Sequence, residues 1–208
     1  MDADGAIIYG AGLVHDAFSL TVGSAFSGSL DQRSFDSVAM KRWIGTIRDR
    51  TGHSFNQTIC KHMRSLGFEA RDSVPMSEFG AGQLGDIDVL SSSKEYKIVL
   101  VIECKHLRFA RTVGEIGEQL RRFAGEPGDQ VHKHLRRVRW LDEHRPLLQK
   151  RLRLDGTFEL SHLLVTNALV PMAFSRSLPI DNRHISTERD LASAIERIVS
   201  DRRSDIGS

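Results

Sequence analysis

Hydrophobic residues near the start of the chain recur every three or four positions, which is the spacing of an amphipathic helix. The pattern covers residues 34–50 and collects one stripe of apolar side chains: Phe35, Ala39, Trp43 and Ile47. Residues 51–52 interrupt this pattern, and residues 54–57 resemble a capping box that begins a second helix. The second helix leads into a predicted strand over residues 68–74.

Two short apolar runs follow, and both are rich in the β-branched residues that favour strands. The first is Gly85-Asp86-Ile87-Asp88-Val89-Leu90, and the second is Val99-Leu100-Val101-Ile102-Glu103-Cys104-Lys105. Polar residues 94–97 lie between them and allow the chain to reverse. In the antiparallel pair that results, residue numbers sum to about 191, so Asp88 would lie opposite Glu103. Because side chains alternate along a strand, Glu103 would share a face with Lys105, and Asp86 with Asp88.

The rest of the chain predicts further helices and one more strand. Residues 112–123 and 129–145 have helical apolar spacing, and Pro146 is placed to restart a helix. Residues 162–167 indicate a buried strand, and residues 187–199 a final helix. The order of elements predicts an α/β fold with a central mixed β-sheet flanked by helices on both faces.

Composition adds few restrictions to this picture. The 208 residues suffice for one domain with extensions, and the contents of 40% hydrophobic and 27% charged residues are ordinary for globular proteins. The net charge of +2 does not by itself indicate a nucleic-acid partner. Cys60 and Cys104 provide neither a disulfide framework nor a metal-type spacing, so we expect a cytoplasmic protein.

The two ends of the chain differ from its middle. Residues 1–33 are interpreted as an irregular lead, a short β element or the seam of a longer protein. They lack the basic start of a signal peptide, and His15 and Asp16 interrupt their apolar stretch, so no membrane span is expected. Residues 34–200 are the predicted main domain, and residues 201–208 a polar, disordered tail.

Charged residues collect in the predicted strand pair. Five apolar residues precede Glu103 without alternation, which indicates a strand that is buried on both faces. Asp86, Asp88 and Lys105 would meet Glu103 there, and such charges are costly unless they are paired or bind a metal. Two carboxylates with a lysine suit metal-assisted cleavage of a phosphodiester. The alternative interpretation is that these charges are solvated strand ends.

A Gly-x-Ile-Asp motif before an apolar run, followed by Glu-x-Lys on the next strand, resembles the PD-(D/E)xK nuclease superfamily. The pattern is most similar to the Mrr-like and resolvase-like variants. The resemblance covers residues 53–125, and more loosely the chain up to residue 200. It implies a restriction-endonuclease-like α-β-β-β-α-β core, so that the main domain would be nuclease-like.

The same resemblance implies roles for individual residues. Asp88 and Glu103 would ligate Mg²⁺ or Mn²⁺, with Asp86 assisting and the Cys104 carbonyl as a further ligand. Hard oxygen donors of this kind suit both ions. Lys105 would orient the attacking water and stabilise the charge that develops on the phosphate.

Two positions outside the strand pair bear on the resemblance. Gln119 is a polar residue on an apolar stripe, and residues 119–123 resemble the Gln-x-x-x-Tyr motif of RecB-type nucleases, with Phe123 in place of the tyrosine. Gln119 is therefore a candidate catalytic residue, or a glutamine at the border of the stripe. Asn56 stands where many superfamily members carry a glutamate. This departure would leave a second metal site short of ligands, and it favours an inactive relative.

These observations predict a metal-dependent nuclease that acts on DNA in preference to RNA. The basic residues of the helix over 129–145 are candidates for phosphate contacts, or form a solvated face: Lys133, Arg136, Arg137 and Arg139. The alternative function is a catalytically inactive nuclease-fold module for DNA binding or assembly. A homodimer and a place in a defence system are compatible with both functions.

Overall fold

The computed structural model describes residues 10–26, 36–107, 113–121, 123–169 and 178–206. The chain divides into a unit of residues 1–52 and a larger unit of residues 53–208. The predicted boundary between residues 33 and 34 lies outside the described residues.

Helix α1, Ala11–Phe26, belongs to the first unit. We predicted an irregular lead or a short β element here, and for these residues that prediction is wrong. The segment contains no proline, and alanine, leucine and similar helix-forming residues are spread along it, so an α-helix satisfies its backbone without interruption.

Helix α2, Val38–Ser65, is continuous over 28 residues and runs through the boundary between the units. The two helices that we predicted, with a break at residues 51–52, are therefore one helix. A glycine costs a helix only about 0.5–1 kcal/mol relative to alanine, and the turns on either side outweigh this cost. Ser54 lies inside the helix, where its carbonyl accepts the hydroxyl of Thr58 at 3.0 Å, rather than at a capped end.

Within the described residues, five strands form one sheet, in which their order follows the chain: β1 (Glu69–Pro75), β2 (Asp86–Ser93), β3 (Ile98–Lys105), β4 (Glu159–Thr166) and β5 (Ile185–Thr187). β2 is antiparallel to both of its neighbours, β1 and β3, whereas β4 runs parallel to β3 and β5 runs parallel to β4. The prediction of an α/β fold with a mixed sheet is confirmed. β5 was not predicted, because three residues are too few to show a strand period.

The predicted reversal at residues 94–97 and the register of the central hairpin are also confirmed. Val89 lies opposite Ile102, and Leu90 lies opposite Val101. β2 continues through residues 91–93, three buried serines that pair with β3 or with both neighbouring strands. This register positions the acidic residues described below.

The remaining helices are α3 (Val113–Arg121), α4 (Gln130–Glu143), α5 (Arg145–Leu152) and α6 (Leu191–Ile206). Asp129 caps α4, because its Oδ1 accepts the backbone N–H of His132 at 2.7 Å. Pro146 lies in the first turn of α5, as predicted. Because α6 extends to Ile206, the prediction of a disordered tail is wrong for residues 201–206.

The sheet has a hydrophobic core on each face. On one face, α2 and α6 cover the central strands with residues such as Ile59, Met63 and Ile195. On the other face, α4 and α5 contribute Leu141 and Leu148. The prediction that helices flank both faces is therefore confirmed, and β3 is buried from both sides.

Candidate active site

The sheet opens between β2 and β3, and the charged residues of the site lie at this opening. The ladder between the two strands ends at Val89 and Ile102, although both strands continue beyond this pair. β1 stays paired with β2 as far as Asp86, and β4 stays paired with β3 as far as Lys105. The start of β2 and the end of β3 thus face each other without backbone pairing.

The carboxylate of Asp88 lies in this opening. Its Oδ2 accepts the backbone N–H of Cys104 at 2.9 Å, where a carbonyl oxygen would stand in a continuous ladder. Ile87 packs into the core on one face and Val89 into the core on the other, so the regular alternation of β2 is interrupted at Asp88. The prediction that Asp86 and Asp88 share a face assumed a regular alternation of side chains, and β2 does not keep that alternation at Asp88.

Glu103 and Lys105 join Asp88 in one ion-pair network. The Nζ of Lys105 lies 2.7 Å from Oε1 of Glu103 and 3.4 Å from Oδ2 of Asp88. The Glu103 side chain is only 3% exposed, so its charge is removed from water and must be compensated nearby. The structure therefore brings together the three residues that the sequence predicted to converge.

Arg137 of α4 is the fourth member of the network, and it was missed as a site residue. Its NH1 donates to Oε2 of Glu103 at 2.8 Å, and its Nε donates to the carbonyl of Leu84 at 2.9 Å. We predicted that Arg137 lies on a phosphate-binding or solvated face. That prediction is wrong, because the side chain is 11% exposed and contacts the sheet.

A sequence signal for Arg137 existed. It lies three residues after His134 and four before Leu141, and both of these are buried. Residues at these spacings share one helix face. The stripe that we predicted, through residues 131, 135, 138 and 141, lies next to this one, and periodicity alone does not separate two adjacent stripes.

The surroundings shift the pKa values of three groups in the site. Burial and the neighbouring Glu103 raise the pKa of Asp88, while Lys105 and the Cys104 N–H act in the opposite direction. For Lys105, burial acts to lower the pKa, but the carboxylates of Glu103 and Asp88 outweigh it, and the net pKa is raised. Lys105 therefore stays charged. Burial also raises the pKa of the Cys104 thiol well above its usual value, so this sulfur stays protonated.

A comparison with known families identifies the family of this chain. A family model described as "Anti-phage protein Upx-like" matches residues 2–192. The chain belongs to the Upx-like family of anti-phage proteins. No curated protein and no solved structure matches it. Membership of this family associates the chain with defence against phage and leaves the reaction itself open.

In this Upx-like protein, the donors at the sheet opening are hard oxygens. In the segments that the structure describes, no group of three or more His, Cys, Asp or Glu side chains is arranged to hold a metal ion. Mg²⁺ needs fewer protein ligands, because one or two carboxylates with waters and substrate phosphates commonly suffice. Asp88 and Glu103 provide such a pair, and both contact the same ammonium group. The donor atoms of these residues are therefore of the chemical type that Mg²⁺ prefers.

Asp86 and Cys104 are the other predicted ligands, and they differ in how they lie relative to Asp88 and Glu103. Asp86 is exposed at the start of β2, and no hydrogen bond or ion pair within the described residues joins it to the network. The N–H of Cys104 faces Asp88, and the carbonyl of the same residue points to the same edge of an extended strand. Since the thiol stays protonated, this carbonyl is the donor that Cys104 offers. Gln119 lies half-buried on α3, and its catalytic role stays a prediction.

Asn56 reaches the site from α2. Its Nδ2 donates to Oδ1 of Asp88 at 3.4 Å. The amide is neutral and offers a donor to the carboxylate, whereas a glutamate in this place would add a third negative charge. The departure noted in the sequence therefore lies at the site itself.

One buried histidine, His134, and two half-buried ones, His162 and His184, lie between α4 and the last strands. The ring of His134 lies 5.4 Å from that of His162, which stacks on His184 at 4.6 Å. Neither nitrogen of His134 has a hydrogen-bond partner in the described part of the chain, and Nδ1 lies 3.8 Å from Oε2 of Glu103. Burial, with Arg137 and Lys105, lowers the pKa of His134 to about 3, so this ring is neutral near pH 7.

The structure also bears on a membrane location. Within the segments that it describes, no helix combines the length and the apolar character that crossing a membrane requires.

Proposed function

We propose that this protein is a metal-dependent nuclease of the PD-(D/E)xK type, with a restriction-endonuclease-like core, that hydrolyses DNA in defence against phage. The observation that carries the proposal is the convergence of Asp88, Glu103 and Lys105 at the opening between β2 and β3. A buried Glu103 beside a half-buried Asp88 and a lysine is costly for a purely structural sheet end. Clusters of partly buried ionisable groups with shifted pKa values are typical of functional sites.

Asp88, Glu103 and the Cys104 carbonyl would hold the ion, with Asp86 assisting. When bound, Mg²⁺ or Mn²⁺ would polarise the scissile phosphate and acidify a water molecule. Lys105 would orient that water and balance the charge that develops on the phosphate. Arg137 and Asn56 would hold the two carboxylates in place, through Glu103 and Asp88 respectively.

DNA is the proposed substrate, and phage DNA is the substrate class that fits a defence family. The cations near the opening lie inside the network, so binding to the phosphate backbone would depend on exposed basic residues elsewhere. Lys133, Arg136 and Arg139 of α4 are exposed and are the proposed contacts.

The second candidate is a catalytically inactive module of the same fold that binds DNA or assembles with a partner. Two observations favour it. Both oxygens of Glu103 face cations of the protein, Lys105 and Arg137. In addition, Asn56 supplies an amide to Asp88 where a further acid would strengthen metal binding.

Incubating the purified protein with linear, circular and branched DNA, with Mg²⁺ or with EDTA, tests the proposal. The proposed function predicts that at least one DNA form is cleaved and that this cleavage requires Mg²⁺. DNA binding without cleavage would support the inactive module. Absence of both would reject the nuclease and the DNA-binding form of the inactive module, and would favour its assembly with a partner.

A further inference from the structure

The ammonium group of Lys105 lies between the carboxylates that are the proposed metal ligands. It contacts Oε1 of Glu103 at 2.7 Å and Oδ2 of Asp88 at 3.4 Å. One small cation thus already bridges these two oxygens. Since Lys105 is on a flexible four-carbon stem, its ammonium can leave this position without a change in the backbone.

The other oxygens of the pair face donors that are less easily moved. Oε2 of Glu103 is held by Arg137, whose guanidinium is also bound to the carbonyl of Leu84. Oδ1 of Asp88 faces the amide of Asn56, and Oδ2 is anchored by the backbone N–H of Cys104. The oxygens that a movement of Lys105 exposes are therefore the two that its ammonium now contacts.

The balance of charges in the network also favours displacement of the Lys105 ammonium. In formal charge, the carboxylates of Asp88 and Glu103 contribute two negative charges and Lys105 and Arg137 two positive charges, so the formal charges of the network balance. A divalent cation added beside the ammonium would create an uncompensated positive charge in a largely buried site. A divalent cation that displaces the ammonium avoids close contact of like charges, whereas Oε2 of Glu103 and Oδ1 of Asp88 already face Arg137 and Asn56.

We propose that the Lys105 ammonium holds the cation position of this site, and that a single divalent cation binds there by displacing it from between Asp88 and Glu103. This inference rests on the proposed function, because it concerns the ion that the nuclease would use. It assigns Lys105 a second role, as a competitor of the metal in the resting protein.

Binding of Mn²⁺ alone, without DNA, tests the proposal. The stoichiometry and affinity are measured by calorimetry and by the paramagnetic resonance signal of free Mn²⁺. The variant is Lys105→Met, and the matched control is Lys94→Met, which removes the same charge from an exposed position in the turn after β2.

The wild-type chain should bind one Mn²⁺. Lys105→Met should bind Mn²⁺ at least about tenfold more tightly. A like charge in direct contact with a charged site changes the affinity of that site by about tenfold or more. Lys94→Met should bind as the wild type does. Unchanged or weaker binding by a folded Lys105→Met, or two ions per wild-type chain, would overturn the inference.

The outcomes separate this inference from the proposed function. If the wild type binds Mn²⁺ and cleaves DNA while folded Lys105→Met binds no more tightly, only the inference fails. If neither protein binds Mn²⁺ at millimolar concentration, the metal of the proposed function fails as well.

Loss of the lysine also leaves two carboxylates close together, so folding is followed by circular dichroism. If Lys105→Met is unfolded without metal, Mn²⁺ should restore its helical signal, and a failure to do so would overturn the proposal. Lys105→Arg keeps the charge and should bind Mn²⁺ no more tightly than the wild type. Tighter binding by this variant would also contradict the competition.

Discussion

Glu103 is a buried carboxylate whose two oxygens face two different cations. Lys105 contacts Oε1, and Arg137 contacts Oε2. Removing a charge of this kind from water costs several kcal/mol, which the two contacts must offset. Lys105 belongs to the proposed chemistry, whereas Arg137 joins Glu103 to the backbone through a second hydrogen bond, to the carbonyl of Leu84. We therefore expect Arg137 to be the main structural partner of Glu103.

Replacing Arg137 by glutamine should lower the free energy of unfolding by about 3 kcal/mol, because Glu103 then keeps only one of its two cations. Arg139→Gln, on the exposed side of the same helix, is the matched control and should change it by less than about 0.5 kcal/mol. Urea unfolding measures both. If the two variants behave alike, Glu103 does not depend on Arg137.

Acid should destabilise the fold between about pH 6.5 and pH 3 through His134 and His162. Burial, with Arg137 and Lys105, lowers the pKa of His134 to about 3, and burial with His134 and His184 lowers that of His162 to about 3. A group whose folded pKa is depressed in this way binds fewer protons in the folded state. Its stabilisation is therefore complete above the unfolded pKa and is lost as the pH falls.

His134→Leu should accordingly reduce the slope of unfolding free energy against pH by up to about 1.4 kcal/mol per pH unit in this window. The raised pKa of Asp88 acts with the opposite sign, so the variant is compared directly with the parent protein. Unfolding by urea at a series of pH values gives the slope. Equal slopes would show that His134 titrates normally in the folded state.

Single residues of the site differ in how well the sequence predicts them. Asp88, Glu103 and Lys105 lie on two strands joined by a short turn, so the turn position alone determines which residues are opposite. Arg137 is 34 positions from Glu103 along the chain, and its role depends on how α4 is rotated against the sheet. A rotation by one residue exchanges a buried for a solvated side chain, and helical periodicity does not resolve it.

Helix α2 shows the corresponding limit for an element. Gly52 lies inside the helix and has open space around its Cα, whereas Gly67 follows the helix end with a φ of +85°. Glycine therefore leaves the helix intact at position 52 and ends it at position 67. The sequence pattern treated both as breaks, because local propensity does not include the turns that continue on either side.

Gly52→Ala should therefore raise the free energy of unfolding by about 0.5–1 kcal/mol, since alanine is the better helix former and meets no neighbour. Gly67→Ala is the opposing control and should lower it by about 1 kcal/mol, because an L-residue is strained at that φ. Thermal or urea unfolding compares them. A destabilising Gly52→Ala would mean that the helix breaks at residues 51–52 after all.

Across the whole molecule, the sheet with helices on both faces was predictable, because long periodic segments determine the order of elements. The short β5 and the helical nature of residues 11–26 were not predicted. Family membership adds the defence context, which no pattern of residues in the chain contains.

Contacts with the DNA backbone should depend on the exposed basic residues of α4. Replacing Arg136 and Arg139 by alanine should weaken binding to all DNA sequences alike, and each lost contact should reduce the salt slope of log affinity by about one. Both residues are exposed, so the fold should be unaffected. An unchanged salt slope would identify this side of α4 as a solvated face.

The central claim is that Asp88, Glu103 and Lys105 form a hydrolytic site, and the cleavage rate of Lys105→Ala tests it most directly. The rate of DNA cleavage with saturating Mg²⁺ and the affinity for DNA are measured together for the variant and the wild type. Because the lysine acts on the reacting water and not on substrate binding, cleavage should be abolished while DNA affinity stays nearly unchanged. Cleavage by Lys105→Ala at the wild-type rate would contradict the account.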